Sequence, residues 1–182
     1  MRPPLLRMRI RTAEFDQRYI GPGVSSRLGS ESSPLGGTFG KVRKFGHKVH
    51  QGWDLYAALN TPVYAVCCGK VIAVSPHNGA LGLTVCLELS SAAAVNVAMR
   101  HGSTHLYALY GHLLSASVVK GAMVTEGQTV AYSGASGNAS NTPSHLHFEI
   151  RTSPLITPSS DALKNRLDPG ELLGYQYYST SA

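Results

Sequence analysis

Apolar residues in this chain come in runs of strand length closed by turn residues. Val63–Cys68, Val71–Val74 and Leu83–Leu89 follow Thr61-Pro62, with Gly69-Lys70 between the first two and Pro76-His77-Asn78-Gly79 after the second. His105–Leu113 alternates well enough for a further strand. His145–Arg151 alternates throughout, with His145, His147 and Glu149 on one face and Leu146, Phe148 and Ile150 on the other. Lys120–Gly134 reads as strand-turn-strand, with glycines where a positive φ is needed. Ala92–Met99 is open between strand and short helix, and Asp161–Leu167 reads as one or two helical turns stopped by Asp168-Pro-Gly170.

Residues 21–40 are rich in Gly, Ser and Pro and read as loop, with a short strand at Val24–Leu28. With 182 residues, 19 Gly and 10 Pro, these patterns predict one mostly β, antiparallel domain with few short helices. Its expected extent is residues 24–170, flanked by an N-terminal arm over 1–23 and a C-terminal tail over 171–182.

Charged residues make up 14% of the chain against roughly 25% in an average globular protein, which argues against a disordered tail and a coiled coil. The net charge of +6 suits an anionic partner. Its 16 Lys and Arg are dispersed, however, without the basic-aromatic interleaving of nucleic-acid binders, so no nucleic-acid partner is expected. No run approaches the roughly 18–20 apolar residues of a membrane helix, so no membrane insertion is expected. Arg2, Arg7, Arg9 and Arg11 interrupt any apolar core of a Sec signal in the N-terminal stretch. Cys67, Cys68 and Cys86 form no metal-spaced set and read as buried thiols, pointing to synthesis in a reducing compartment.

The chemistry sits in the histidines. His145-Leu-His147 puts two imidazoles on one side of a strand, with Cα atoms about 7 Å apart, so they can converge on one small volume. His50-Gln-Gly-Trp-Asp54 sets an imidazole and a carboxylate four residues apart, and Tyr110-Gly-His112 places a lone histidine at a strand end. Two imidazoles joined by another His or a carboxylate match the donor set of a catalytic zinc site with one open position.

Those blocks, with Thr61-Pro-Val-x-Ala65 and Gly127-Gln-x-Val130 between them, resemble the lysostaphin-type zinc metallopeptidases, which cut the peptide part of bacterial peptidoglycan. The resemblance runs from Val24 to Asp168-Pro169. It implies a compact antiparallel β-sheet domain with a groove across the sheet. It also implies one Zn2+ held by His50, Asp54 and His147, with His112 and His145 as non-ligand catalytic residues. The implied activity is hydrolysis of peptidoglycan cross-links or stem peptides. Two segments depart from the family pattern: Glu88–His105 is longer than its usual hairpin, and Thr142-Pro-Ser144 stands where Gly-Pro commonly precedes H-x-H.

Blander readings stand beside these. His50 and Asp54 fit a helix-surface pair, His145 and His147 fit solvent-facing strand residues, and His112 fits a core histidine bonded to a carbonyl. His47, His77, His101 and His105 read as surface or structural, with His105 a candidate for the groove's surroundings. Glu149 reads either as a partner of the histidines or as a strand-end charge, and Arg43 and Tyr132 are candidates to line the groove. The alternative function is a non-catalytic scaffold or activator of other wall hydrolases; a lipoyl-type carrier lacks the flanking motif. For a wall hydrolase, the lack of a Sec signal leaves two readings, a chain shortened at its start or export by a signal-less route. The second points to synthesis in the cytoplasm and action in the periplasm or cell wall of target cells. The expectation is an antibacterial effector exported by a contractile (type VI) secretion system, with an immunity protein that plugs the groove.

Overall fold

The computed structural model describes residues 1–6, 36–43, 48–154 and 161–174. The expected strand at Val24–Leu28, and His47, lie outside the described residues. Eleven strands appear in order among the described residues: β1 (Gly40–Arg43), β2 (Lys48–His50), β3 (Trp53–Tyr56), β4 (Pro62–Tyr64), β5 (Gly69–Ser75), β6 (Leu83–Leu89), β7 (Tyr107–Ala116), β8 (Met123–Val124), β9 (Thr129–Ser133), β10 (His145–Arg151) and β11 (Arg166–Leu167). Two helices accompany them, α1 (Ala92–Arg100) and α2 (Gly170–Leu173). The architecture is mostly β and antiparallel, as the alternation predicts. No helix among the described residues is long and apolar enough to cross a membrane.

Strand β10 is the axis of the large sheet. It pairs with β7 on one side, and with β3 and then β11 on the other. From β7 the sheet continues through β6 and β5 to β8, while β9 joins β7 to β4. The apolar face of β10, Leu146, Phe148 and Ile150, is wholly buried together with Leu55, Val71, Leu87 and Tyr110. At roughly 1.5–3 kcal/mol for each large apolar side chain, this face is what fixes the register. Tyr110 lies directly across from Phe148, with ring centroids 5.2 Å apart, and its hydroxyl accepts from the Val66 amide at 3.2 Å. With Leu146 and Phe148 turned inward, period two sends His145, His147 and Glu149 to the other face together.

The ambiguous segment is helical. Ser91 caps α1, its hydroxyl accepting from the Ala94 amide, and Ala94, Val97 and Ala98 are buried at helical spacing. Asp161–Leu167 departs from the expected helical turns: residues 161–165 form turns, and Arg166–Leu167 pairs with Ile150–Arg151 instead. Seven residues containing two lysine or arginine charges and one turn-forming Asn165 at φ +60° give a helix little to hold it. The strand-turn-strand at Lys120–Gly134 holds as elements but not as a hairpin, since β8 pairs with β5 and β9 with β4 and β7. Cys67 and Cys86 are buried as expected; Cys68 departs from that expectation and is exposed, in the bend between β4 and β5 where no strand holds it against the core.

The two recurrent blocks that carry no chemistry meet each other. The Gly127 amide donates to the Ala65 carbonyl and the Ala65 amide to the Gln128 carbonyl, both at 2.9 Å, with Gly127 at φ +79°. They are scaffold.

Candidate active site

The spacing His50-x-x-x-Asp54 is not a helical pair. His50 ends β2, Asp54 lies in β3, and the chain turns between them at Gly52. Asp54 stands in register opposite His147. Directly opposed residues of an antiparallel pair share a face, so the carboxylate meets the H-x-H histidines. Gly52 permits the crossing: a Cβ there would lie 2.3 Å from the Phe148 carbonyl oxygen and 2.9 Å from Glu149 Cγ. Gly52→Ala is therefore expected to destabilise the protein by about 1–3 kcal/mol or more through overpacking against backbone. Denaturant unfolding checks it, and an unchanged midpoint would show that the close approach does not constrain the crossing.

Three donor atoms converge. His147 Nδ1 is 2.8 Å from Asp54 Oδ1, His50 Nε2 is 3.2 Å from the same oxygen, and the two ring nitrogens are 3.3 Å apart. All three residues are buried. Outer hydrogen bonds fix which atoms face inward. His50 Nδ1–H donates to the Thr38 carbonyl at 2.8 Å, and His147 Nε2–H donates to Glu149 Oε1 at 3.0 Å. In the neutral tautomers so fixed, the facing nitrogens are lone pairs gathered around an anionic oxygen. Such a cluster calls for a cation: a proton, carried by the facing nitrogen of His147 when no metal is bound, or a metal ion. Around a tetrahedral zinc with bonds of about 2.0–2.1 Å, ligand atoms stand about 3.3 Å apart, so this donor set fits the ion.

His145 and His112 complete the cluster without joining the tight triad. His145 Nδ1–H donates to the Pro143 carbonyl at 3.0 Å, and its Nε2 lies 3.8 Å from Asp54 Oδ1. His112 Nδ1–H donates to the Ser136 carbonyl at 2.9 Å, and the two rings are 4.7 Å apart between centroids. His112 has φ +57°, a left-handed conformation that costs an L-residue roughly 1–2 kcal/mol. The cause lies in β7, which pairs with β10 through Gly111 and with β9 from Leu113 onward. His112 is the residue at the change of partner, and its strained backbone turns the ring into the site.

Burial pushes the His50 imidazole below its usual range, against the pull of Asp54. Burial alone would raise the Asp54 carboxyl, yet the charge that the facing His50, and then His147, can carry beside it holds it well below the usual carboxylate range. Burial also disfavours charge on His147, but hydrogen bonds to Asp54 and Glu149 outweigh it and push the imidazole up to about 9.

Arg43 belongs to the site. Its Nη2 donates to Asp54 Oδ2, and its Nε donates to the Gly36 carbonyl at 2.6 Å, leaving Oδ1 for the triad. The sequence offers Arg43 as a candidate to line the groove; its partner there is the Asp54 carboxylate. Glu149 is a buried partner of His147, not a strand-end charge. His105 pairs with Glu88 and His101 with Glu171, both at 2.7 Å on the surface. Tyr132, half-buried on β9, sits opposite Pro62.

Comparisons with known proteins bear on the family and the fold. Residues 48–163 match peptidase family M23. The peptidoglycan DD-endopeptidase ShyB of Vibrio cholerae is 33% identical over 114 residues, which is 62% of this chain but 23% of that protein's length. The catalytic domain of lysostaphin, an antimicrobial peptidase from Staphylococcus simulans, superposes with a TM-score of 0.57 at 25% identity, over 76% of this chain and 90% of that one. The catalytic domain of the prophage-encoded M23 protein EnpA from Enterococcus faecalis gives 0.54 at 25% identity, over 72% and 85% of the two chains.

Proposed function

The chain belongs to peptidase family M23, and from that membership we propose that it is a zinc-dependent endopeptidase that hydrolyses peptide cross-links or stem peptides of bacterial peptidoglycan. The observation that carries this reading is the convergence of His50 Nε2, Asp54 Oδ1 and His147 Nδ1, all within 4.8 Å of one another, beside two further histidines. These three residues would hold the ion. Zinc in such a site supplies Lewis acidity, which acidifies water and polarises the carbonyl under attack.

The chain's own residues then handle the protons. His145 Nε2 accepts the proton of the attacking water as its oxygen bonds to the carbonyl carbon, and delivers it to the amine nitrogen as the C–N bond breaks. Its Nδ1–H stays on Pro143 O throughout, so the ring keeps its orientation. His112, whose Nδ1–H is held by Ser136 and whose ring lies beside that of His145, stabilises the negative charge that develops on the carbonyl oxygen when its Nε2 carries the second proton of the imidazolium form.

Incubation with isolated sacculi, followed by separation of muropeptides by mass, tests the activity. Loss of cross-linked dimers with growth of monomers, abolished by a chelator, is expected. Unchanged muropeptides with one equivalent of zinc bound would overturn it. The effector delivery and immunity partner expected from the sequence remain part of the proposal. Expression directed to the periplasm is expected to lyse the host, and unharmed cells whose sacculi the purified enzyme digests would count against it.

Metal uptake carries a pH signature. Without metal, His147 keeps its proton up to about pH 9, so an incoming ion displaces it. Below that pH, binding releases the proton, and affinity is expected to rise roughly tenfold per pH unit and level off above about 9. Zinc titrations against a competing chelator at several pH values check this. A pH-independent affinity would remove His147 from the ligand set.

A further inference from the structure

Glu149 stands behind the metal-facing cluster, two residues beyond His147 on the same face of β10, and its side chain is wholly buried. A carboxylate there is costly unless every oxygen is partnered. Oε1 accepts from His147 Nε2–H at 3.0 Å. Oε2 accepts from Arg166 Nε at 3.0 Å, and Arg151 Nε lies 3.4 Å from the same oxygen. The two oxygens are thus divided between partners, one facing the histidine and the other held by guanidinium groups.

The bond to His147 decides what that histidine offers. With the proton fixed on Nε2, Nδ1 is the lone-pair atom, and Nδ1 is the one that meets Asp54 Oδ1 and His50 Nε2. Tautomer exchange would point an N–H at the triad, and a ring flip a C–H.

Arg166 arrives on β11, from the far end of the chain. Its Nη1 donates to the Ala162 carbonyl at 3.1 Å, and Gln51, next to His50, donates to that carbonyl at 3.2 Å. The turn over residues 161–165 is thus tied both to the carboxylate behind His147 and to the β2–β3 connection that carries His50 and Asp54.

We infer that Glu149 is a positioning residue that fixes His147 as an Nδ1 metal donor, and that Arg166 holds Glu149 in that pose, making the Asp161–Leu167 segment part of the metal centre. The inference rests on the proposed zinc site. Its test is zinc affinity by chelator competition, in the full chain, for Glu149→Asp, Glu149→Gln and Arg166→Gln, with unfolding midpoints measured alongside.

The two Glu149 variants separate positioning from mere charge balance. Aspartate keeps the charge beside the arginines but withdraws the oxygen from His147. Glutamine loses the charge but keeps an acceptor within reach. Positioning predicts a fall of about 10–100-fold for Glu149→Asp, the range for loss of a ligand's outer partner, and a smaller fall for Glu149→Gln. Charge balance predicts the reverse order, and that order would overturn the inference. Arg166→Gln, at a site that keeps some solvent contact, is expected to fold and to lose affinity a few-fold. In wild-type zinc-bound protein the His147 Nε2 proton is expected to be visible by NMR and slow to exchange, and fast in Glu149→Asp. Wild-type affinity in all three variants would overturn the inference while leaving the metal site standing. A wild-type protein that binds no zinc would instead sink the metal reading itself.

Discussion

His145→Ala is expected to lower turnover on isolated sacculi by a factor of about 10²–10⁴, the usual worth of a positioned acid-base group, with zinc still bound at the wild-type level. The separation of the two effects follows from the distances. The triad atoms stand 2.8–3.3 Å apart, whereas His145 Nε2 is 3.8 Å from Asp54 Oδ1. Its loss removes a proton carrier and no triad donor. The same holds for His112, with one addition. Because His112 sits at φ +57°, His112→Gly relieves backbone strain as it removes the ring. That variant is expected to be inactive yet no less stable than wild type, which would mark the strain as stability given up for ring placement. Metal analysis beside the muropeptide assay decides both cases. Loss of zinc in His145→Ala would move it into the ligand set, and full residual activity would take it out of the chemistry.

Legibility in the sequence follows how local the cause is. Strand β10 is readable to the residue because alternation over His145–Arg151 is a property of seven consecutive residues. Strand β6 at Leu83–Leu89 is readable as well, from an apolar run of strand length that the same seven residues supply. Arg166–Leu167 is not readable as strand, since its ladder partner, Ile150–Arg151, is supplied by a distant segment. Nor can the turns of Lys120–Gly134 show that their two strands pair with different neighbours. The placing of His50 beside Asp54 depends on a turn at Gly52 that spacing alone leaves open to a helix. Arg43 is legible only as a candidate groove residue, because its partner, Asp54, is reached through the fold. The helix α1 needs a tertiary fact as well: Ala94, Val97 and Ala98 are buried together, and only burial tells which period the segment obeys.

Asp54→Asn is expected to abolish zinc binding at neutral pH and with it all turnover, a larger loss than either histidine variant produces. Asn is close to isosteric, so the change isolates charge from shape. Four side chains depend on that carboxylate: His50 and His147 through Oδ1, His145 at 3.8 Å from the same atom, and Arg43 through Oδ2. With the anion gone, the site presents two neutral nitrogens beside an amide, and the guanidinium of Arg43 remains close by as an uncompensated cation. Both changes oppose a divalent ion, the first by removing a ligand and the second by repulsion in a low-dielectric setting. The loss of affinity should therefore exceed the roughly 10–100-fold expected for an outer partner such as Glu149. Arg43→Ala in the same background separates the two causes: part of the affinity is expected to return if repulsion contributes, and none if ligand loss accounts for the whole. Stoichiometric zinc in Asp54→Asn, measured after exhaustive dialysis, would exclude the carboxylate from the metal site. The ion would then have to be held by histidines alone, a set that His112 and His145 could supply only by giving up their place in proton transfer.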